Sequence, residues 1–236
     1  PGRHDGRENT ILEVFEAIGA HAWGKITDEE LKAIEEAASP GFGACGGQFT
    51  ANTMAMAFEV LGISPVRDSG VPAQYDAKED VAYKTGQLIM DVLARGQRPR
   101  DIITRESLEN AIAAVAMSGG STNGVLHLLA VANEAGIELD IDDFDRISSK
   151  TPLTCDLSPG GRYLATHLHE AGGVPVVANR LLEAGLLHEG AQTVTGKTIG
   201  DLARGAQETE GQEVVRPLSD PLKPSGGLAI LRGNLA

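Results

Sequence analysis

Cysteine, aromatic residues and clustered positive charge are all scarce in this 236-residue chain. Its two cysteines, Cys45 and Cys155, are too few for a disulfide framework at this length, and they read as free thiols in a reducing compartment. Aromatics make up 4% of the residues, which disfavours a stacking platform for nucleobases. The formal charge is -13 with no basic cluster to interrupt it, which argues against nucleic acid or an anionic membrane surface as partner. No apolar run approaches the roughly 18 residues of a membrane span. Residues 1–8 lack the apolar stretch of a signal peptide, so a soluble, cytoplasmic protein is expected. The phosphate-loop lysine motif does not occur. Asp140, Asp142, Asp143 and Asp145 lack the glycine and the bidentate glutamate of a calcium loop, so helix capping explains them better.

What is plentiful is glycine and small apolar residues, and a hydrophobic content of 42% is enough to fill a core. The most telling stretch is Gly41-Phe42-Gly43-Ala44-Cys45-Gly46-Gly47-Gln48-Phe49-Thr50-Ala51-Asn52-Thr53-Met54, with four glycines in its first seven residues. Glycine lets the backbone take positive φ and lets a bulky group approach it. Cys45 lies just before a helix opening near Thr50, where unpaired N–H groups and the positive end of the helix dipole favour a thiolate or another anion. A metal-ligating or nucleophilic cysteine needs that setting, and a buried free thiol at a tight loop-to-helix turn fits the same residues.

In chain order, residues 10–21 carry Ile11, Leu12, Val14, Phe15 and Ile18 at helical spacing, capped by Asn9 or Thr10, and that apolar face is expected to be buried. Thr27 with Glu30 forms a capping box for a helix that stops at Ser39-Pro40. Residues 64–76 read as a loop. Residues 78–95 read as a helix with Val81, Leu88, Ile89, Val92 and Leu93 as its core stripe. Residues 100–103 read as a short extended or turn segment, and Thr104 caps a helix over 105–117. The turn Gly119-Gly120-Ser121-Thr122-Asn123 leads into a helix over 124–135, whose apolar residues nearly surround it and predict deep burial. Ser121, Thr122 and Asn123 offer hydroxyls and N–H groups to a carboxylate or phosphate, and they equally suit a helix cap. His127 reads as a core histidine, whereas His167 and His169, two apart on one helix, do not share a face and are expected to be exposed. Asp140 caps a helix over 141–147. Residues 152–157 and 192–195 read as strands, with helices over 161–171, 175–184 and from 198 between and after them. Cys155 is expected to pack. Residues 205–212 read as a polar linker, and residues 214–218 and 227–231 as strand-like pieces. The whole points to a helix-rich α/β fold with few strands and part of its sheet missing.

Gly43-Ala44-Cys45-Gly46-Gly47 with Thr50-Ala51-Asn52-Thr53-Met54, followed by Gly119-Gly120-Ser121-Thr122-Asn123 with Leu126-His127-Leu128, closely resembles the dihydroxy-acid dehydratase / 6-phosphogluconate dehydratase family. Further matches are Asp143-Phe144-Asp145-Arg146-Ile147, Ala184-Gly185-Leu186-Leu187-His188, Thr193-Val194-Thr195-Gly196-Lys197-Thr198 and Lys223-Pro224-Ser225-Gly226-Gly227-Leu228-Ala229-Ile230-Leu231-Arg232-Gly233-Asn234-Leu235. The resemblance implies an incomplete three-layer α/β/α N-terminal dehydratase domain. Residues 1–212 would be part of the cluster-binding domain, and residues 213–236 would begin the connection to an absent C-terminal domain. It implies that Cys45 is one of three ligands to an iron–sulfur cluster, of 2Fe-2S or 4Fe-4S type. Magnesium would be held by residues outside this chain, together with the family's other cluster cysteines and its proposed serine base. The enzyme implied is a homodimeric hydro-lyase that converts 2,3-dihydroxy acids to 2-keto acids in branched-chain amino acid synthesis. A sugar-acid dehydratase of the same family is the alternative, and an isolated non-catalytic fragment is the other. Cys155 has no role in the family pattern. Gln48 stands where family members often carry an apolar residue.

Overall fold

The structure is a computed structural model that describes residues 2–234. The chain opens with an antiparallel hairpin, β1 (Gly2–His4) and β2 (Arg7–Asn9), in which Gly2 pairs with Asn9. Its turn is Asp5-Gly6, both at positive φ (49° and 76°), the dipeptide that two-residue hairpins favour. Sequence reading left these residues as a polar start, although His4-Asp5-Gly6-Arg7 carried the signal.

Eleven helices follow among the described residues: α1 (Ile11–Ala22), α2 (Asp28–Ala38), α3 (Thr50–Leu61), α4 (Ala77–Arg95), α5 (Pro99–Ile102), α6 (Arg105–Ser118), α7 (Asn123–Ala135), α8 (Ile141–Ser148), α9 (Ala165–Glu170), α10 (Val174–Glu183) and α11 (Ile199–Arg204). The expected helix-rich architecture is what the chain adopts. Beyond the hairpin, strand pairing among the described residues is reduced to isolated bridges such as Leu153 with Lys223 and Cys155 with Val215. Capping was the most legible local signal. Thr10 with Glu13, Thr27 with Glu30 and Asp140 with Asp143 all form capping boxes, and Thr104 and Thr198 cap α6 and α11. Gly62, Gly96, Gly119 and Gly136 end their helices in the left-handed conformation.

α6 is the axis of the molecule, buried at almost every position from Ser107 to Ser118, and α3 packs along it. Together they feed two apolar clusters. On one side Met56, Val60, Ala113 and Met117 meet Cys155, Val177, Leu181 and Val215. On the other, Ala57, Leu61, Leu108, Ile112 and Val115 meet Leu128, Phe144 and Leu228. The approach of α3 requires glycine at 120, where a Cβ would lie 2.9 Å from Thr53 Cγ2.

Several expectations are corrected. Residues 100–103 belong mostly to the single turn α5, because Pro99 in its first turn presets the helical φ. α9 is shorter than the expected span over 161–171. α1 buries Val14 and Ala17 but leaves Phe15 64% and Ile18 47% exposed. In α4 only Val92 of the expected stripe is buried, with Ile89 and Leu93 exposed. α7 is not surrounded: Gly124, Leu128 and Ala132 are buried, whereas Leu126 is exposed. Periodicity gave the apolar face of each helix, but not how much of it finds a neighbour within these residues.

Residues 205–228 lie against the body. Arg180, only 9% exposed, meets the Glu208 carboxylate at 2.6 Å and 2.8 Å, and Val214 and Val215 enter the core. Gly226 and Gly227 N–H groups donate to Ser148 and Ala116 carbonyls, each at 2.8 Å.

Candidate functional site

Cys45 sits half-buried in the loop between α2 and α3, on the wall of a cleft of about 730 Å³. The loop is fixed from three directions. Asn52, in the first turn of α3, turns back so that its Nδ2 donates to the carbonyls of Cys45 and Gly47 at 2.6 Å each. Ala165 N–H donates to the Gly46 carbonyl at 2.7 Å, and Gln48 N–H to the Ser158 carbonyl at 2.6 Å. Gly47 is required by this packing, since a Cβ there would lie 2.8 Å from the Phe49 ring and 3.1 Å from the Ser158 oxygen. Gly41 instead faces open space, with nothing within 4 Å of its would-be Cβ.

The cleft is lined largely by small and neutral residues, including Ser39, Gly43, Ala44, Ser69, Ala73 and Thr166, and Lys78 is the one charged residue among the described residues that line it. Lys78 Nζ donates to the Asp68 carbonyl at 3.3 Å. Among the described residues no three His, Cys, Asp or Glu side chains gather as a metal-ligand set, so Cys45 is here a single thiol donor facing a space larger than a side chain.

Beneath one wall of the cleft lies a carboxylate that sequence reading did not single out. Glu59 on α3 is fully buried and accepts from Arg67 N at 2.8 Å, Ser69 N at 2.9 Å, Gly70 N at 3.3 Å and Ser69 Oγ. Burial pushes its carboxyl up to about 7, against these hydrogen bonds, which favour the charged form. The only hint was an acidic residue flanked by Phe58 and Val60 on a helix otherwise free of charge.

The second glycine-rich turn meets α3 but does not line the cleft. Ser121 N–H donates to Thr53 Oγ1 at 2.9 Å, Asn123 Nδ2 donates to Thr50 Oγ1 at 2.7 Å, and Asn123 N–H donates to Ser121 Oγ at 3.2 Å. Ser121 and Asn123 thus brace the start of α3, and Thr122 is exposed. Gln48 is buried, with its Nε2 3.7 Å from Met56 Sδ. Cys155 packs as expected: burial pushes its thiol up to about 12, which makes it unreactive. His127 is half-buried. His167 and His169 are half-buried rather than exposed, because Leu164 N–H donates to His167 Nδ1 and the His169 ring stands edge-on to Tyr75.

No helix among the described residues is long and apolar enough to cross a membrane. The described residues thus form a helix-rich unit that presents Cys45 on a glycine-rich loop over the cleft. Residues 2–202 match the family model described as dihydroxy-acid/6-phosphogluconate dehydratase N-terminal, and the chain belongs to that family. Its relatives include proteins named dihydroxy-acid dehydratase from Roseiflexus castenholzii, 60% identical over 236 residues, and Koribacter versatilis, also 60% identical over 236 residues. The protein of that name from Thermus thermophilus is 55% identical over 237 residues. Each match covers 100% of this chain but only 41–43% of the relative.

Proposed function

We propose that this chain is the Cys45-bearing part of a dihydroxy-acid dehydratase, a hydro-lyase that removes water from 2,3-dihydroxy carboxylic acids to give 2-keto acids in branched-chain amino acid synthesis. The observation that carries the reading is the Cys45 loop, held by Asn52 over a cleft far larger than a side chain. The names of the relatives favour this substrate class over sugar acids.

In the reaction a base takes the C2 proton, the C3–O bond breaks as the departing hydroxyl takes up a proton and leaves as water, and the enol tautomerises to the keto acid. An iron–sulfur cluster, when bound, supplies a Lewis-acidic iron for the departing 3-hydroxyl, and magnesium supplies charge for the carboxylate and enolate oxygens. The part played by this chain is one thiolate ligand, from Cys45. Asn52 fixes the ligating loop through the carbonyls of Cys45 and Gly47. The neutral, small-residue lining leaves room for the group, and Lys78 offsets negative charge in the cleft.

Such a cluster needs about three or four protein ligands, so this chain alone should be inactive. The remaining ligands and the base belong to the rest of a cytoplasmic enzyme, which the family suggests is a homodimer. The test is Cys45→Ala in the full-length protein: iron content and dehydration of 2,3-dihydroxyisovalerate should both be lost. A variant that keeps its iron and turnover refutes the assignment.

A further inference from the structure

α3 lines the cleft at its start through Asn52 and supports a wall of it, residues 69–71, from its far end through Glu59. At its start Asn52 holds the Cys45 loop. Two turns later Glu59, fully buried, gathers three backbone N–H groups and one hydroxyl from residues 67–70. Ser69, Gly70 and the adjoining Val71 line the same cleft as Cys45. Ser69 Oγ also reaches the Ala55 carbonyl at 3.1 Å, and Lys78 reaches over to Asp68, so this wall is tied down from below and from above. A carboxylate is costly to bury unless its oxygens are paired, and here they are spent on a loop rather than on a cation. The Arg67 guanidinium turns away to Gln207 Oε1, 3.4 Å distant.

We propose that Glu59 is a positioning residue: its carboxylate sets residues 67–70 as a wall of the cleft and thereby controls access to the Cys45 sulfur. Glu59→Gln is nearly isosteric, yet it presents an amide NH2 to loop N–H groups that need acceptors. The wall then loosens while the helix remains.

The test is the alkylation rate of Cys45 by iodoacetamide in the full-length protein stripped of metal, read peptide by peptide by mass spectrometry. Cys155, in the core cluster with Met56 and Val60, is the built-in control for general loosening. E59Q should raise Cys45 labelling by about five- to thirtyfold with Cys155 still silent. Unchanged Cys45 labelling overturns the proposal. Should E59Q expose Cys155 as well, Ser69→Ala decides, since it removes one donor and leaves the carboxylate its backbone partners; labelling at the wild-type rate then refutes the role. A second readout, the bleaching of cluster absorbance by a chelator, rests on the proposed function and should quicken in E59Q. Altered labelling in a protein that never binds iron would uphold Glu59 and defeat the cluster assignment. Iron binding with labelling and bleaching at wild-type rates in E59Q would do the reverse.

Discussion

The side-chain amide of Asn52 stands 2.6 Å from the carbonyl oxygen of Cys45, seven residues back along the chain, and shares itself with the carbonyl of Gly47. One residue in the first turn of a helix therefore sets the conformation of the loop before it. Asn52→Ala leaves both carbonyls without this donor, and should lower stability by about 1–3 kcal/mol in urea unfolding. Asn52→Asp should be worse than Ala, because it puts a negative carboxylate where two carbonyl oxygens converge. Iron retention in the full-length protein should follow the same order; an aspartate variant that matches the wild type would contradict this account.

Glu59 gives stability an unusual pH dependence. Its carboxyl titrates at about 7 in the fold against 4.5 for an ordinary glutamate, so between these values the folded state holds a proton that the unfolded chain has released. This contribution is full below about pH 4.5 and is lost as pH rises through 7, by on the order of 3 kcal/mol at most. The stability advantage of wild type over E59Q should accordingly shrink between pH 5 and pH 8. A gap that stays constant, measured by urea midpoints, would show that Glu59 does not titrate in this range.

Asp143 has the opposite sign. Burial raises its carboxyl, but hydrogen bonds from Arg105 at 2.5 Å and Arg146 at 2.8 Å outweigh that and hold it well below the usual carboxylate range. The stability it adds is present above the ordinary aspartate range, near pH 4, and is lost as pH falls through its depressed value. Asp143→Asn should cost about 1.5–3 kcal/mol at pH 7, with the gap closing in acid. Glu109, which accepts from Arg105, Arg146 and His188, shares these partners, so the double variant with Glu109→Gln should be non-additive.

Phe15, Ile18 and Trp23 on and after α1, and Tyr83, Ile89, Met90 and Leu93 on α4, are large apolar side chains left exposed. Sedimentation should show concentration-dependent self-association, and Ile89→Glu with Leu93→Glu should reduce it. If the doubly substituted chain associates as strongly as the wild type, α4 is not the cause.

How far the sequence disclosed this molecule follows from the range of each signal. Caps such as Thr27 and Asp140 act over three residues and were read correctly. So was the helix-rich architecture, and Cys45 stood out because glycines mark its loop. Burial depends on partners distant in sequence, so the α4 stripe and the encirclement of α7 were overstated. Glu59 escaped notice for the same reason: its importance lies in residues 67–70 folding back over it, and one glutamate in a helix carries no local mark of that. Ser121 and Asn123 offered hydrogen-bonding groups to a ligand or to the fold, and their partners, Thr53 and Thr50, are visible only in three dimensions.

Leu228 is buried beside Leu128 and Phe144, and the carbonyl of Leu228 accepts from Ser148 Oγ at 2.7 Å. During synthesis α6, α7 and α8 therefore leave the ribosome with a gap in their shared core that only the segment Lys223-Pro224-Ser225-Gly226-Gly227-Leu228 closes. Until that segment emerges, the nascent helices offer a sticky apolar seam, the kind of surface a chaperone holds. The order in which the chain is made thus delays the sealing of this core until a segment 80 residues beyond Ser148 has followed.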